Sequence, residues 1–572
     1  MRKLALLLVL ILIFPICFGL VSCKKGGNNQ LVLNVYNWEE YIADGVIEGF
    51  EDYYKETHGK SVKVNYSTFG TCENMYNELK LTQNKSNGNF KYDLVCPSDY
   101  MIQRMIEEDM CEEFDWKDSN GNKIFTNYEN NTSQYIQDLF NKELEPANKN
   151  LDSYKLSTYS ACYMWGTMGF VYNPEYVTHE DMATWKGVLN SDYKNRITIK
   201  DSVRDSYILA MGIAYEEEFN SFKSLYTDPT EYNDAITSLF NKVNDDTINA
   251  TKEVLKQVKS NLYGFEVDSG KNDMATGKLW INFAWSGDGV YILDVAEDEE
   301  GTELYYSVPQ EGSNIFFDGW VMPKGANKAL AQEFLDYMFR TDIAVENMGY
   351  IGYTASTAGL DIFENAIDWY GTYTLREIDQ TEYETAILDE ERTVVELGGK
   401  YYEEFYVADL IDASTPKDSD GNYLVDIIYP IYDEDWENII DLEDVGETTI
   451  YARDLSYFFG NDQDIIDAYG ETVIYTDTID RQFTAQYPDY EVVNRCAIMK
   501  HLPTNQLEDL NEMWASVKIG YMKPIYMVLI VLGFIVLFAL AVVFFKLIES
   551  GKFGYGKTRK NLKLVKKEEI KD

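Results

Sequence analysis

Regular alternation of apolar and polar positions begins at residue 31. Residues 31–36 (LVLNVY) repeat with a period of two, the spacing of a half-buried strand. Residues 41–57 return apolar side chains every three or four positions, which predicts an amphipathic helix. The same reading predicts a second strand at 62–67, a second helix at 73–85 and a buried parallel strand at 92–97 (YDLVCP). This β-α-β-α-β order predicts an open α/β sheet with crossover helices. Ligands of such sheets sit beyond the carboxyl ends of the strands. A second α/β stretch begins near Trp165. It has strands at 168–172, 197–199 and 279–284 and a helix from about Ser206. The chain then passes through 305–309 and 316–323, and helices are expected at 328–340 and 342–349.

Residues 359–493 have a different texture. Between 401 and 450 there are fifteen Asp or Glu and one Lys, yet Tyr, Ile, Leu, Phe and Trp persist, so the segment is expected to fold. Two similar stretches, 118–122 (DSNGN) and 418–422 (DSDGN), lack the twelve-residue calcium pattern ending in Glu and are read as hairpin turns.

Two unbroken apolar runs stand outside this pattern. Met1-Arg2-Lys3 followed by apolar residues 4–20 has the layout of a signal peptide, predicted at 1–22. It ends in Leu20-Val21-Ser22-Cys23, which resembles the lipobox of bacterial lipoproteins and would make Cys23 the lipidated first residue. Residues 23–30 read as a flexible tether. Residues 525–545 carry no charge and are long enough to span about 30 Å of hydrocarbon as a helix. Nine Lys or Arg lie between 546 and 571, so the tail 546–572 is expected in the cytoplasm and the acidic body outside.

Composition narrows the partners. Against 96 Asp and Glu there are 50 Lys and Arg, a formal net charge of −46. Such a surface repels nucleic acid and anionic lipid, and suits a cationic ligand. Of seven cysteines, Cys72, Cys96, Cys111, Cys162 and Cys496 would remain after processing, without a CxxC pair or Cys/His cluster. No metal site or other cofactor is expected.

The residues that follow the predicted strand ends carry the candidate chemistry: Trp38, Glu39 and Tyr41; Ser98, Asp99 and Tyr100; Ser202 and Asp205; Trp285; Phe316, Phe317 and Asp318; Tyr353. The set is aromatic and acidic and holds no Lys or His; Arg204, between Ser202 and Asp205, is expected to point away. Ring faces attract an alkyl ammonium and cover its methylenes, while carboxylates hold its charged ends. Two carboxylates at opposite ends of a slot would measure the length of a diamine.

On these stretches the chain resembles the periplasmic spermidine/putrescine-binding proteins of polyamine ABC transporters. The matching pieces are Tyr36-Asn37-Trp38 to Tyr41, Tyr92-Asp93-Leu94-Val95 to Tyr100, Lys200 to Asp205, Phe283-Ala284-Trp285, Phe316-Phe317-Asp318-Gly319 and Ile351-Gly352-Tyr353. Residues 494–518 resemble the family's last helix. The resemblance implies a two-lobed, type II periplasmic-binding-protein-like α/β fold. Lobe one would be 31–164 with a return at 317–358, and lobe two 165–316 with 494–518. Trp38, Tyr41, Ser98 and Tyr100 would line the pocket from the first lobe, Trp285 would be a stacking wall, Asp318 would anchor an amine, and Tyr353 would be a pocket Tyr. Asp205 stands where the family has Glu, Phe316 where it has Trp, Ser202 where an enteric member has Asp, and Glu39 where it has Thr. These changes leave spermidine against putrescine open. The resemblance does not reach 359–493 or the apolar run 525–545.

The implied function is capture of a polyamine outside the cell and delivery to ABC permease subunits, without covalent chemistry. A lipid at Cys23 and the helix 525–545 would tether the protein to the cell membrane. The alternatives are the same fold with another small solute (an amino acid, a sugar or ferric ion) or a surface glycosidase using two carboxylates. No HExxH, GxSxG elbow or P-loop supports an enzyme. A sensory ectodomain is disfavoured by the short tail after residue 545.

Overall fold

The computed structural model describes residues 30–519 and 538, except 86, 119, 268, 389–391, 434–437, 461 and 480. The predicted signal peptide, Cys23, most of the tether, the apolar run 525–545 (Phe538 excepted) and the basic tail lie outside the described residues. Among the described residues no helix is long and apolar enough to cross a membrane.

The expected open sheet is present. Its strands run, edge to edge, Val62–Phe69, Leu31–Trp38, Leu94–Val95, Ser313–Pro323, Ser160–Tyr172, Ile281–Trp285, Ile197–Lys200 and Gly264–Glu266. The first three are mutually parallel, as are the last three. Between the parallel sets lie two long strands, antiparallel to each other and to their neighbours. Helices Val46–His58 and Cys72–Thr82 follow the first two strands of the first set, and Val203–Ala214 follows Ile197–Lys200 in the second. The apolar positions Val46, Phe50 and Tyr54 fall on one face of the first helix and are buried.

The strand expected to start at 168 starts at Ser160. All thirteen residues of Ser160–Tyr172 are buried, so neither face supplies the polar positions that mark a strand in sequence. Its residues 160–167 pair with Ser313–Pro323, and its residues 168–172 pair with Ile281–Trp285 and Tyr305–Ser307. A single strand therefore passes from one parallel set to the other.

The last helix also differs from expectation. It spans Thr504–Ile519 and not 494–518, because Cys496–Ala497 pairs with Ser313 and Asn314 of the long strand and is held extended. Pro503, immediately before the helix, marks its start.

The acidic segment folds, as its apolar content predicts. It forms two three-stranded sheets. One is ordered Tyr373–Ile378, Lys400–Tyr406, Val394–Leu397, and the other Tyr423–Tyr432, Ile439–Asp454, Val473–Thr476. Leu455, Phe458, Phe459, Phe483 and Tyr487 join it to the main core. The 118 and 418 stretches are tight turns: Asp118 accepts from the Asn120 and Asn122 backbone amides, and Asp418 from those of Asp420 and Asn422. The five described cysteines are all buried and unpaired with one another.

Candidate functional site

The carboxyl ends of the two three-stranded parallel sets meet at one cavity of about 470 Å³, within the range of small-molecule sites. Trp38, Phe69, Lys200, Glu266 and Trp285, each the last residue of its strand, line it, and Ser98 lies just past Leu94–Val95. Of the thirteen residues singled out in the sequence, twelve line the same cavity: Trp38, Glu39, Tyr41, Ser98, Asp99, Tyr100, Ser202, Asp205, Trp285, Phe316, Asp318 and Tyr353; Phe317 does not.

Asp318 is 5 % exposed and sits on the long strand between the two parallel sets. Tyr41 donates its hydroxyl to Oδ2 at 2.7 Å, and Ser98 donates to Oδ1 at 2.7 Å. Burial pushes the carboxyl up to about 6 even though both hydroxyls favour its charged form. Among the described residues Asp318 makes no ion pair. Rings close around it: Tyr353 meets Tyr41 edge-on at 5.1 Å and Phe316 at 6.0 Å. Trp38 packs against Phe69 at 4.7 Å, and its buried indole Nε1–H has no acceptor among the described residues.

Asp99 is a second buried carboxylate lining the cavity without an ion pair among the described residues; it accepts from the Tyr100 amide, and burial holds it well above the usual carboxylate range. Asp205 is the third. It rides on the first turn of Val203–Ala214, where Ser202 caps the helix by accepting from the Asp205 amide at 3.4 Å. Burial raises its carboxyl to about 6, against the opposing pull of Ser202 and Lys200. Tyr100, across the cavity, donates to Glu73 at 3.1 Å.

The cavity also holds lysines outside the set singled out in the sequence: Lys200 and Lys271 both line it. Lys200 is 1 % exposed, and its ammonium lies 4.2 Å from the Trp285 ring centroid, so one face of the expected stacking wall is covered from within. Arg204 is absent from the cavity lining, in keeping with the expectation that it points away. It is buried, with its guanidinium 5.2 Å from the centre of the Tyr100 ring.

Asp288, missed in sequence, is the partner of these lysines. It lies three residues after Trp285, on the first turn of Ser286–Glu300. Lys200 donates to its Oδ2 at 3.0 Å, Tyr353 donates to its Oδ1 at 3.1 Å, and Lys271 lies 3.8 Å from Oδ1. Burial alone would raise Asp288, but Lys200 and Lys271 outweigh it and hold the carboxyl below its ordinary value. Lys271 also reaches Glu40 at 3.7 Å, a residue in the left-handed backbone region with φ of 50°. Glu40 follows the first strand and Lys271 precedes Ile281–Trp285, so this pair spans the cavity between the two parallel sets. The signal that could have found Lys200 was its position: it ends a strand two residues before Ser202. The placement of charges, rings and an open volume suits binding of an organic cation. Among the described residues no cluster of His, Cys, Asp and Glu is arranged to hold a metal ion.

Comparison with known proteins gives a consistent picture. A family model described as bacterial extracellular solute-binding protein matches residues 50–366, more than half of the chain. The chain is similar to the spermidine/putrescine-binding periplasmic protein of Salmonella typhimurium, 27% identical over 339 residues, covering 59% of this chain and 80% of that protein. It is also similar to a putrescine-binding periplasmic protein of Escherichia coli, 26% identical over 350 residues, covering 58% of this chain and 80% of that one. Among solved structures, a putative spermidine/putrescine ABC transporter protein from Listeria monocytogenes matches with a TM-score of 0.49 and 19% identity, covering 85% of this chain and 98% of that one.

Proposed function

The chain belongs to the bacterial extracellular solute-binding protein family, and we propose from that premise that it captures a polyamine for an ABC importer. The observation that carries the reading is Asp318: a buried carboxylate with two hydroxyl donors and, among the described residues, no cation, walled by Tyr41, Phe316 and Tyr353. An alkyl ammonium supplies the missing charge, and the rings cover its methylenes. Trp38, Glu39, Ser98, Tyr100, Ser202, Asp205 and Trp285 complete the proposed ligand-binding set. The names of the two bacterial relatives support spermidine or putrescine as the solute class.

In this reading residues 31–164 with 317–358 form one lobe, and 165–316 with Thr504–Ile519 the other. Closure brings Asp318 and Asp205 to one ligand, and the ligand favours the closed state because only that state offers both. A lipid at Cys23 and a membrane helix at 525–545 would hold the binder beside its permease at high effective concentration. Calorimetric titration of the full chain with putrescine, spermidine and 4-aminobutyrate tests the proposal. Binding of the amines but not of the amino acid is expected; a chain that takes 4-aminobutyrate and ignores both amines is not a polyamine binder.

A further inference from the structure

Lys200 has every contact expected of a bound ammonium. Its Nζ stands 4.2 Å from the centre of the Trp285 ring, donates to Asp288 at 3.0 Å and to the Val267 carbonyl at 2.8 Å, and lies 3.4 Å from Glu266. A lysine buried to 1 % exposure loses its hydration, and these contacts replace it. Glu266 also accepts from Asn282 on Oε1, the oxygen nearest Lys200, and from the Gly270 amide on Oε2. Asp288 has a second cation in Lys271. The acidic groups at this end of the cavity are therefore already answered by the chain. At the other stations, Asp318 and Asp205 are buried, face the same cavity and make no ion pair among the described residues. Asp99, also buried there and without an ion pair among the described residues, already accepts from the Tyr100 amide, lies within the field of Arg204 and is held well above the usual carboxylate range by burial, which favours its neutral form.

We propose that the Lys200 ammonium permanently fills one cation station of the cleft, so that the ligand supplies two charged ends and the protein selects a diamine over a triamine. This rests on the polyamine reading and sharpens it. A triamine places a third ammonium where Lys200, Trp285 and Asp288 are already engaged, and meets repulsion from Lys200 and Lys271. The four-carbon side chain of Lys200 would stand in for the missing aminoalkyl arm.

The test is titration of the full chain, and of K200M, K200Q and K200R, with 1,4-diaminobutane and spermidine. The wild-type chain is expected to bind the diamine at least about tenfold more tightly, and K200M and K200Q to move the affinity ratio toward spermidine by at least about tenfold, with K200R keeping the wild-type ratio. A purely structural lysine would lower both affinities together and leave the ratio alone. A wild-type chain that prefers spermidine overturns the assignment whether or not the variants fold. So does a folded K200M or K200Q whose ratio is unmoved. A folded wild-type chain that binds neither amine removes the polyamine reading itself, and the assignment of Lys200 with it; amines bound with an unmoved ratio remove the assignment alone.

Discussion

At Asp318 burial and hydrogen bonding act in opposite directions, and burial prevails. The carboxyl titrates near 6 in the folded chain against an ordinary 3.8. The folded state therefore holds the extra proton between those values, and this group's contribution to stability grows as pH falls from 6 toward 3.8. Above 6 the charged form is disfavoured in the folded protein by at most about 3 kcal/mol, scaled from the pKa difference. Ligand binding runs the other way, because an ammonium needs the charged carboxylate. Asp318→Asn is thus expected to raise the melting temperature of the ligand-free chain at pH 7.5, with a gain that shrinks by pH 5. The same variant should lose about 2–5 kcal/mol of amine affinity, the scale for unpairing a buried charge. Thermal scans and calorimetry at the two pH values check both halves; an equal thermal gain at pH 5 and pH 7.5 would refute the electrostatic account. In the wild-type chain, amine affinity is expected to fall as pH drops from 7.5 to 5, since Asp205 also titrates near 6.

At the scale of elements, the helix Ser286–Glu300 begins under Tyr353. A Cβ on Gly287 would stand 1.8 Å from Tyr353 Cδ2, so only glycine lets the ring lie there and donate to Asp288. Gly287→Ala should cost about 1–3 kcal/mol of stability by overpacking. Amine affinity should fall with it, because Tyr353 must leave the cavity wall. Adding Tyr353→Ala removes the clash, so denaturant titration should find the double variant at least as stable as Gly287→Ala; a further loss would show that the contact is not the cause. The same elements show what sequence pattern carries. Strands with one polar face, such as Leu31–Trp38 and Val62–Phe69, were legible because alternation records the water on one side. The first half of Ser160–Tyr172 was not, because it is buried on both faces. The start of the last helix was misplaced because Cys496–Ala497 is held by a strand nearly two hundred residues away, a constraint no local window contains. The aromatic and acidic members of the site could be read from strand ends. Lys200 sat at one of those ends too, but a lysine reads as solvated until its buried partners, Asp288 and Glu266, are placed around it.

At the scale of the whole molecule, the acidic segment touches elements beside both parallel sets. Ser133, ahead of the first long strand, donates to the Phe458 carbonyl, while Arg481 pairs with Glu297 of Ser286–Glu300 at 2.5 Å. The segment is part of the body that carries the cleft, and its charge belongs to the field a ligand meets. That field is strongly negative, with a formal net charge of −46. A cationic ligand approaching from solution feels it over roughly 30 Å at 0.01 M salt but only about 8 Å at 0.15 M. In the proposed complex the ammonium meets Asp318 behind Tyr41, Phe316 and Tyr353, where salt screens little. The two stages therefore separate kinetically. Raising salt from 0.01 to 0.15 M should lower the association rate of a diamine by about tenfold while the dissociation rate changes by less than about twofold. Trp38 and Trp285 line the cavity, so stopped-flow tryptophan fluorescence reads both rates. An association rate indifferent to salt would mean that the acidic surface does not steer the ligand, and a salt effect confined to dissociation would mean that the bound ammonium lies in water rather than against Asp318.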